Sequence, residues 1–230
     1  MPNTSMDTLV IYFPRKSSVA TELFRQNPKE EIPDLNSLKE LYKYLKSPKA
    51  MKVKEIIIID FTNPIFSERR YPRKTTNLKI TKGIYNFLKY INQTSQNFPK
   101  IKYVFLSSVG VLDRYFNLPG SSQKQLRYNL DKKQTEEFLR TQTFINYIII
   151  RLPLCPVKKE NLLIKNIGKS SKELFNLDLG IPVLAINKIK LFFEAIKNPD
   201  KSAEALLSVE FITIEDTSNP EKTKEFLLRN

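Results

Sequence analysis

Residues 102–132 read KYVFLSSVGVLDRYFNLPGSSQKQLRYNLDK, and this stretch decides the fold. Tyr103, Val104, Phe105 and Leu106 form an apolar run with the β-branched and aromatic make-up of a buried strand. The run ends in Ser107 and Ser108. A polar loop with Pro119 and Gly120 follows, two residues that favour turns over a continued strand or helix. Tyr128 and Lys132 then fall in a helical pattern from Gln123 to Arg140. Four residues apart, they share one helical face. The stretch therefore predicts strand, serine pair, loop and long helix.

The same alternation continues upstream. TLVIYF (8–13) suits a buried parallel strand, Pro14-Arg15-Lys16-Ser17-Ser18 turns the chain, and VATELFRQ reads as a helix. Ser37-Leu38-Lys39-Glu40 is a capping-box pattern ahead of the amphipathic LKELYKYLK. EIIIIDF, with Ile56 to Ile59, is the most apolar strand and belongs in the middle of a sheet covered on both faces. Residues 75–92 place Leu78, Ile80, Ile84, Phe87, Leu88 and Ile91 at helical spacing.

Downstream, NYIIIRLP (146–153) predicts another buried strand, ended by Pro153. Residues 187–198 read as a helix, SVEFITI (208–214) as a strand, and Asn219-Pro220 as the start of a final helix. Strands alternating with helices predict a doubly wound parallel sheet, one α/β domain over 1–230 with residues 1–6 as a short extension.

Composition narrows the chemistry. With 230 residues, 41% of them hydrophobic and 27% charged, the chain can bury one real core. Cys155 is the single cysteine, which excludes an internal disulfide and points to a reducing, intracellular compartment. The absence of histidine removes Ser-His-Asp triads, Cys-His pairs and nearly all zinc sites, so no metal centre is expected. No apolar run reaches the roughly 18 residues that span a bilayer. The start, MPNTSMDTLVIYF, lacks the basic and apolar regions of a secretory signal. Mitochondrial and cytoplasmic or nuclear settings both stay open.

The net charge is +14, from 38 Lys and Arg against 24 Asp and Glu. Such a field favours RNA, anionic surfaces or acidic protein partners; a lysine-rich composition spread over helical faces gives the same number. Arg69, Arg70, Tyr71, Arg73 and Lys74 form the densest basic cluster around an aromatic, suited to phosphate pairing with stacking, or to a solvated loop. Lys46, Lys49, Lys52 and Lys54 read as a basic connector.

The order of pieces over residues 56–199 resembles the atypical short-chain dehydrogenase/reductase superfamily, a Rossmann-like fold. Its layout is most similar to the Tat-interacting, NmrA-like oxidoreductase branch. IIIIDF looks like the central strand, TTNLKITKGIYNFL like the helix after it, and YVFLSSVGV like the serine strand. YNLDK looks like the Tyr/Lys helix. NYIIIRLP looks like a strand ending in Arg-Pro, here with Leu152 between Arg151 and Pro153. IPVLAINKIKLFFEAIKNP looks like the later segment over the substrate side.

The resemblance implies that Ser108, Tyr128 and Lys132 hold the catalytic positions: serine on the reacting oxygen, tyrosine as acid/base, lysine lowering the tyrosine pKa and holding the ribose. The spacing alone is common here, since Tyr12/Lys16, Tyr42/Lys46 and Tyr85/Lys89 repeat it.

The first strand-to-helix turn departs from the family. A dinucleotide needs glycines there, because backbone must approach the pyrophosphate closely. The family's Gly-x-x-Gly-x-x-Gly falls on Tyr12, Arg15 and Ser18, and the first of the five glycines is Gly83. Arg15, Lys16, Ser17 and Ser18 can still offer an anion contact at a helix start. The span from the first strand to the isoleucine run is short for two strand-helix units, so the fold is expected to be trimmed in its first half. The expectation is a degenerate, non-catalytic relative with no cofactor, acting as a scaffold or interaction subunit of a larger, RNA-containing or mitochondrial assembly. The competing expectation is an NADP-dependent oxidoreductase working through Ser108, Tyr128 and Lys132.

Overall fold

The structure, a computed structural model, describes residues 8–14, 16–17, 35–64, 75–95, 97–112, 121–152 and 213–216. Five strands form one sheet in the order β1-β2-β3-β4-β5: β1 Thr8–Phe13, β2 Glu55–Asp60, β3 Lys100–Ser108, β4 Asn146–Leu152 and β5 Thr213–Asp216. β1 to β4 run parallel, in a register that sets Ile11, Ile58, Tyr103 and Tyr147 in one row across the sheet. The fold is mixed α/β and Rossmann-like, as the alternation predicts.

Two features go beyond the sequence reading. β5 pairs antiparallel with β4, Ile150 opposite Ile214. Alternation of strand and helix carries no signal for the direction of an edge strand, and antiparallel edges on parallel sheets are common. The strand expected over 208–214 is described from Thr213 on; residues 208–212 lie outside the described residues.

The second feature is strand order. Among the described strands the sequence order is the spatial order, and β1 lies at an edge. A full dinucleotide fold puts its first strand in the centre, where the order reverses and the cofactor crosses. The observed order is that of a sheet whose first half is trimmed, as the short span before the isoleucine run predicts.

Helices α1 Leu38–Leu45, α2 Pro48–Met51, α3 Asn77–Thr94 and α4 Gln123–Arg140 fill the connections. The Ser37 capping box forms as its pattern predicts: Ser37 Oγ accepts from the Glu40 amide, and the Glu40 carboxylate accepts from the Ser37 amide. Thr76 and Ser122 cap α3 and α4 in the same way, through the Lys79 and Gln125 amides. The helix predicted over VATELFRQ and those predicted beyond Pro153 lie outside the described residues.

Strand alternation gives the sheet two faces. One carries Ile11, Phe13, Ile56, Ile58, Tyr103, Phe105 and Ile149, packed with Leu41 and Leu45 of α1, Ile84 and Leu88 of α3, and Leu139 of α4. The other carries Tyr12, Ile57, Ile59, Val104, Leu106 and Ile150, which are buried too. A sheet buried on both faces is what the near-continuous apolar strands require.

α1 and α3 lie unusually close. The Tyr42 and Phe87 rings stack with centroids 4.0 Å apart. A methyl at Gly83 would stand 3.1 Å from the Tyr42 hydroxyl, so the missing side chain makes room for the crossing ring.

Ile58 is fully buried in the central row of this core. Ile58→Ala is expected to lower the free energy of unfolding by about 3 kcal/mol, from lost burial plus a residual cavity. Urea denaturation at constant m-value checks this.

Candidate functional site

The C-terminal ends of parallel strands are where open α/β sheets bind ligands. Here that edge holds a cluster of buried polar side chains: Asp60 at the end of β2 and Thr62 after it, Asn77 at the start of α3, and Asp131, Lys132, Thr135 and Glu136 on α4, with Arg151 on β4. α4 explains its own composition. Its apolar stripe is thin, because its inward face carries these polar groups instead of a run of leucines.

Lys132 is the centre. It is 2% exposed. Its Nζ donates to the Leu106 carbonyl at 2.7 Å, the Thr62 carbonyl at 3.2 Å and Asn77 Oδ1 at 3.2 Å. An ammonium has three donors, and these three acceptors take all of them. The cation also sits 4.4 Å from the centroid of the Phe105 ring and 5.8 Å from that of Tyr128. Burial pulls its pKa down to about 8, against the opposing pull of the Asp60, Asp131 and Glu136 carboxylates.

The carboxylates around it are equally committed. Asp60 accepts from the Tyr103 hydroxyl and, at 2.7 Å, from the Thr62 amide. Burial raises its pKa, while the Tyr103 hydrogen bond, the Lys132 charge and the Thr62 bonds pull the other way. Asp131 reaches from α4 to the first turn of α3, accepting from the Asn77 amide at 2.7 Å, Asn77 Nδ2 at 2.8 Å and the Leu78 amide at 3.2 Å. It caps a neighbouring helix, where a negative charge meets unpaired amides and the positive end of the helix dipole. Glu136 forms a fork with Arg151, through Nη2 at 2.6 Å and Nε at 3.1 Å, and also takes Arg140 at 3.0 Å.

The predicted catalytic trio comes to this same end of the sheet. Tyr128 and Lys132 share a face of α4, as their spacing predicts, and Tyr128 is half-buried. Ser108 ends β3, and its Oγ accepts from the Gly110 amide at 3.1 Å. A methyl at Gly110 would lie 2.5 Å from Asn129 Oδ1, so this glycine lets the turn press against α4 beside Tyr128. Strand alternation puts Ser107 on the face with Tyr103 and Phe105, and Ser108 on the other.

At the first turn, Lys16 and Ser17 are described, while Arg15 and Ser18 lie outside the described residues. The Lys16 amide donates to Asn36 Oδ1 at 2.8 Å and the Ser17 amide to the Pro14 carbonyl at 3.1 Å. The amides of the two described residues of this turn thus have partners within the chain. The basic cluster Arg69, Arg70, Tyr71, Arg73 and Lys74 lies outside the described residues, as does Cys155. Among the described residues no group of three metal-ligating side chains occurs, and no helix is long and apolar enough to cross a membrane.

Sequence reasoning singled out Lys132 but missed its partners. Asp60 and Arg151 carried a signal: each is a charge inside an otherwise apolar strand, which needs a buried partner. Asn77 and Asp131 carried none, because their pairing spans 54 residues.

No family model and no curated protein matches this chain. Two solved structures resemble it at low similarity. A protein described as an NAD-dependent epimerase/dehydratase, from Bacillus halodurans, shares 16% identity over 65% of this chain and 71% of that one, with a TM-score of 0.37. A protein described as exported, from Burkholderia pseudomallei, shares 7% identity over 84% of this chain and 95% of that one, with a TM-score of 0.42.

Two outcomes test the role of Lys132. Lys132→Met strands three buried acceptors and is expected to cost about 3 kcal/mol at neutral pH, whereas Tyr128→Phe costs less than about 1 kcal/mol. The second concerns pH. A lysine whose folded pKa is about 8, against 10.5 unfolded, binds fewer protons folded than unfolded between those values. Stability therefore rises with pH from about 8 to about 10. Above that, Tyr103 and Tyr147, whose pKa values burial raises, turn the slope downward. Unfolding curves from pH 7 to 10 should show the rise in the native protein and lose it in Lys132→Met.

Proposed function

We propose that this protein is a non-catalytic relative of the short-chain reductases that serves as an interaction or scaffold subunit of a larger, RNA-containing or mitochondrial assembly. One observation carries the reading. The lysine that would hold a nicotinamide ribose spends all three of its donors on the Leu106 and Thr62 carbonyls and Asn77. A side chain so placed ties strand ends to a helix and has no donor left for a ligand.

Three further observations support it. The residues at the first turn do not fit a dinucleotide: glycines are missing before Gly83, and the Lys16 and Ser17 amides have internal partners. β1 is an edge strand among the described residues, so no reversal of strand order opens a crevice beside it. The +14 net charge favours anionic partners.

The competing reading is an NADP-dependent oxidoreductase. What favours it is the shared face of Tyr128 and Lys132 at the ligand-binding edge of the sheet.

Thermal unfolding with added NADPH or NADH separates the two. A ligand at about 100 times its Kd stabilises by about 2.7 kcal/mol, a shift of several degrees. The expected result is no shift with either nucleotide. A saturable shift with either nucleotide overturns the proposal.

A further inference from the structure

The helical layer over the sheet carries an excess of positive charge. α3 carries Lys79, Lys82 and Lys89 and no carboxylate. On α1 the acid is Glu40, which is exposed and bound into its capping box. On α4, Asp131 and Glu136 are turned inward and buried, leaving Glu137 exposed. Lysines and arginines outnumber the exposed acids on these helices.

Those cations are ordered into two stripes. Lys39, Lys43 and Lys46 follow one face of α1, and Lys82 and Lys89 follow the outer face of α3, Lys82 with its ammonium 5.3 Å from the ring centroid of Phe138 on α4; all five are exposed. The helices run side by side in the same direction, since Tyr42 meets Gly83 and Phe87 while Lys46 meets Phe87 and Tyr90. Within each stripe, residues seven apart are separated by about 10 Å along the axis. Between the stripes stands Tyr90, 56% exposed, with the Lys46 ammonium 5.8 Å from its ring centroid.

Helix energetics do not explain the arrangement. Lys79 sits in the first turn of α3, where the dipole disfavours cations.

We propose that the joined faces of α1 and α3 bind single-stranded RNA, the lysine stripes tracking phosphates and Tyr90 offering a stacking platform for a base. Alternating cations with an exposed aromatic ring is the make-up of sequence-tolerant single-strand binders. A bilayer is the poorer fit: among the described residues Tyr90 and Leu130 are the exposed large hydrophobics, and Leu130 is on α4. An acidic protein would use the lysines but leave Tyr90 without a role. The inference deepens the binding-module reading by naming its surface and ligand class.

Fluorescence anisotropy of the full chain with a labelled oligouridine of about 20 nucleotides tests it. Lys82→Glu/Lys89→Glu and Lys39→Glu/Lys43→Glu should each weaken binding by about tenfold or more, with a shallower salt dependence. Tyr90→Ala should weaken it by about fivefold or more, with the salt slope unchanged. Lys54→Glu/Lys100→Glu makes the same charge change on exposed residues at the N-terminal ends of β2 and β3, off both helices, and should weaken binding less than about twofold.

Equal losses in all three double variants would overturn the inference, since the attraction would then be diffuse charge. So would an absence of RNA binding, or tighter capture by anionic vesicles or polyglutamate than by RNA. Circular dichroism confirms that the variants fold. An NADPH-dependent thermal shift, by contrast, would overturn the non-catalytic reading while leaving an RNA-binding result in place.

Discussion

A buried ammonium holds the C-terminal edge of this sheet together. Lys132 reaches from α4 to the Thr62 carbonyl just after β2, to the Leu106 carbonyl near the end of β3, and to the side chain that opens α3. Buried acceptors left unpaired are costly. One cation therefore ties two strands and two helices together at this end of the sheet. Asp60 balances its charge from the strand side and Asp131 from the helix side.

That device requires the rest of the polar cluster. Asp131 must face α3 to supply charge to Lys132, and in doing so it takes the amides of Asn77 and Leu78. Asn77 is then held with its Oδ1 available to Lys132 and to the Thr62 hydroxyl, 3.1 Å away. Glu136 and Arg151 repeat the logic one turn on, tying α4 to β4. Breaking one member of such a network exposes the others, so the cluster behaves as a unit. Turning these acids inward adds to the excess of exposed lysine and arginine on the helical layer.

Much of the fold was legible because its signals are local. The isoleucine run gave β2, and KIKYVFLSS and NYIIIRLP gave β3 and β4 within a residue of their ends. The span Gln123–Arg140 was read to the residue, since Ser122 caps one end. The shortness of the span before the isoleucine run was legible from sequence length alone, and among the described strands β1 and β2 are neighbours. The direction of β5 was not legible, because alternation of strand and helix carries no signal for which way an edge strand runs. At the site, spacing correctly placed Tyr128 and Lys132 on one face but could not say that the lysine points into protein. That depends on Thr62, Asn77 and Leu106, which lie 26 to 70 residues away in sequence.

The strand order has a consequence for how the chain assembles. Because β1 to β4 lie side by side in the order of synthesis, each strand-helix unit can dock on the edge left by the one before it. Contacts made this way are close in sequence, which keeps loop-closure costs low and folding fast. The network around Lys132 cannot form until α4 has emerged, so the early sheet waits on a helix from the middle of the chain. β5, separated from β4 by residues 153–212 in sequence, can join the sheet only after the strands before it. The sheet grows from one edge to the other, and its polar clasp fastens midway.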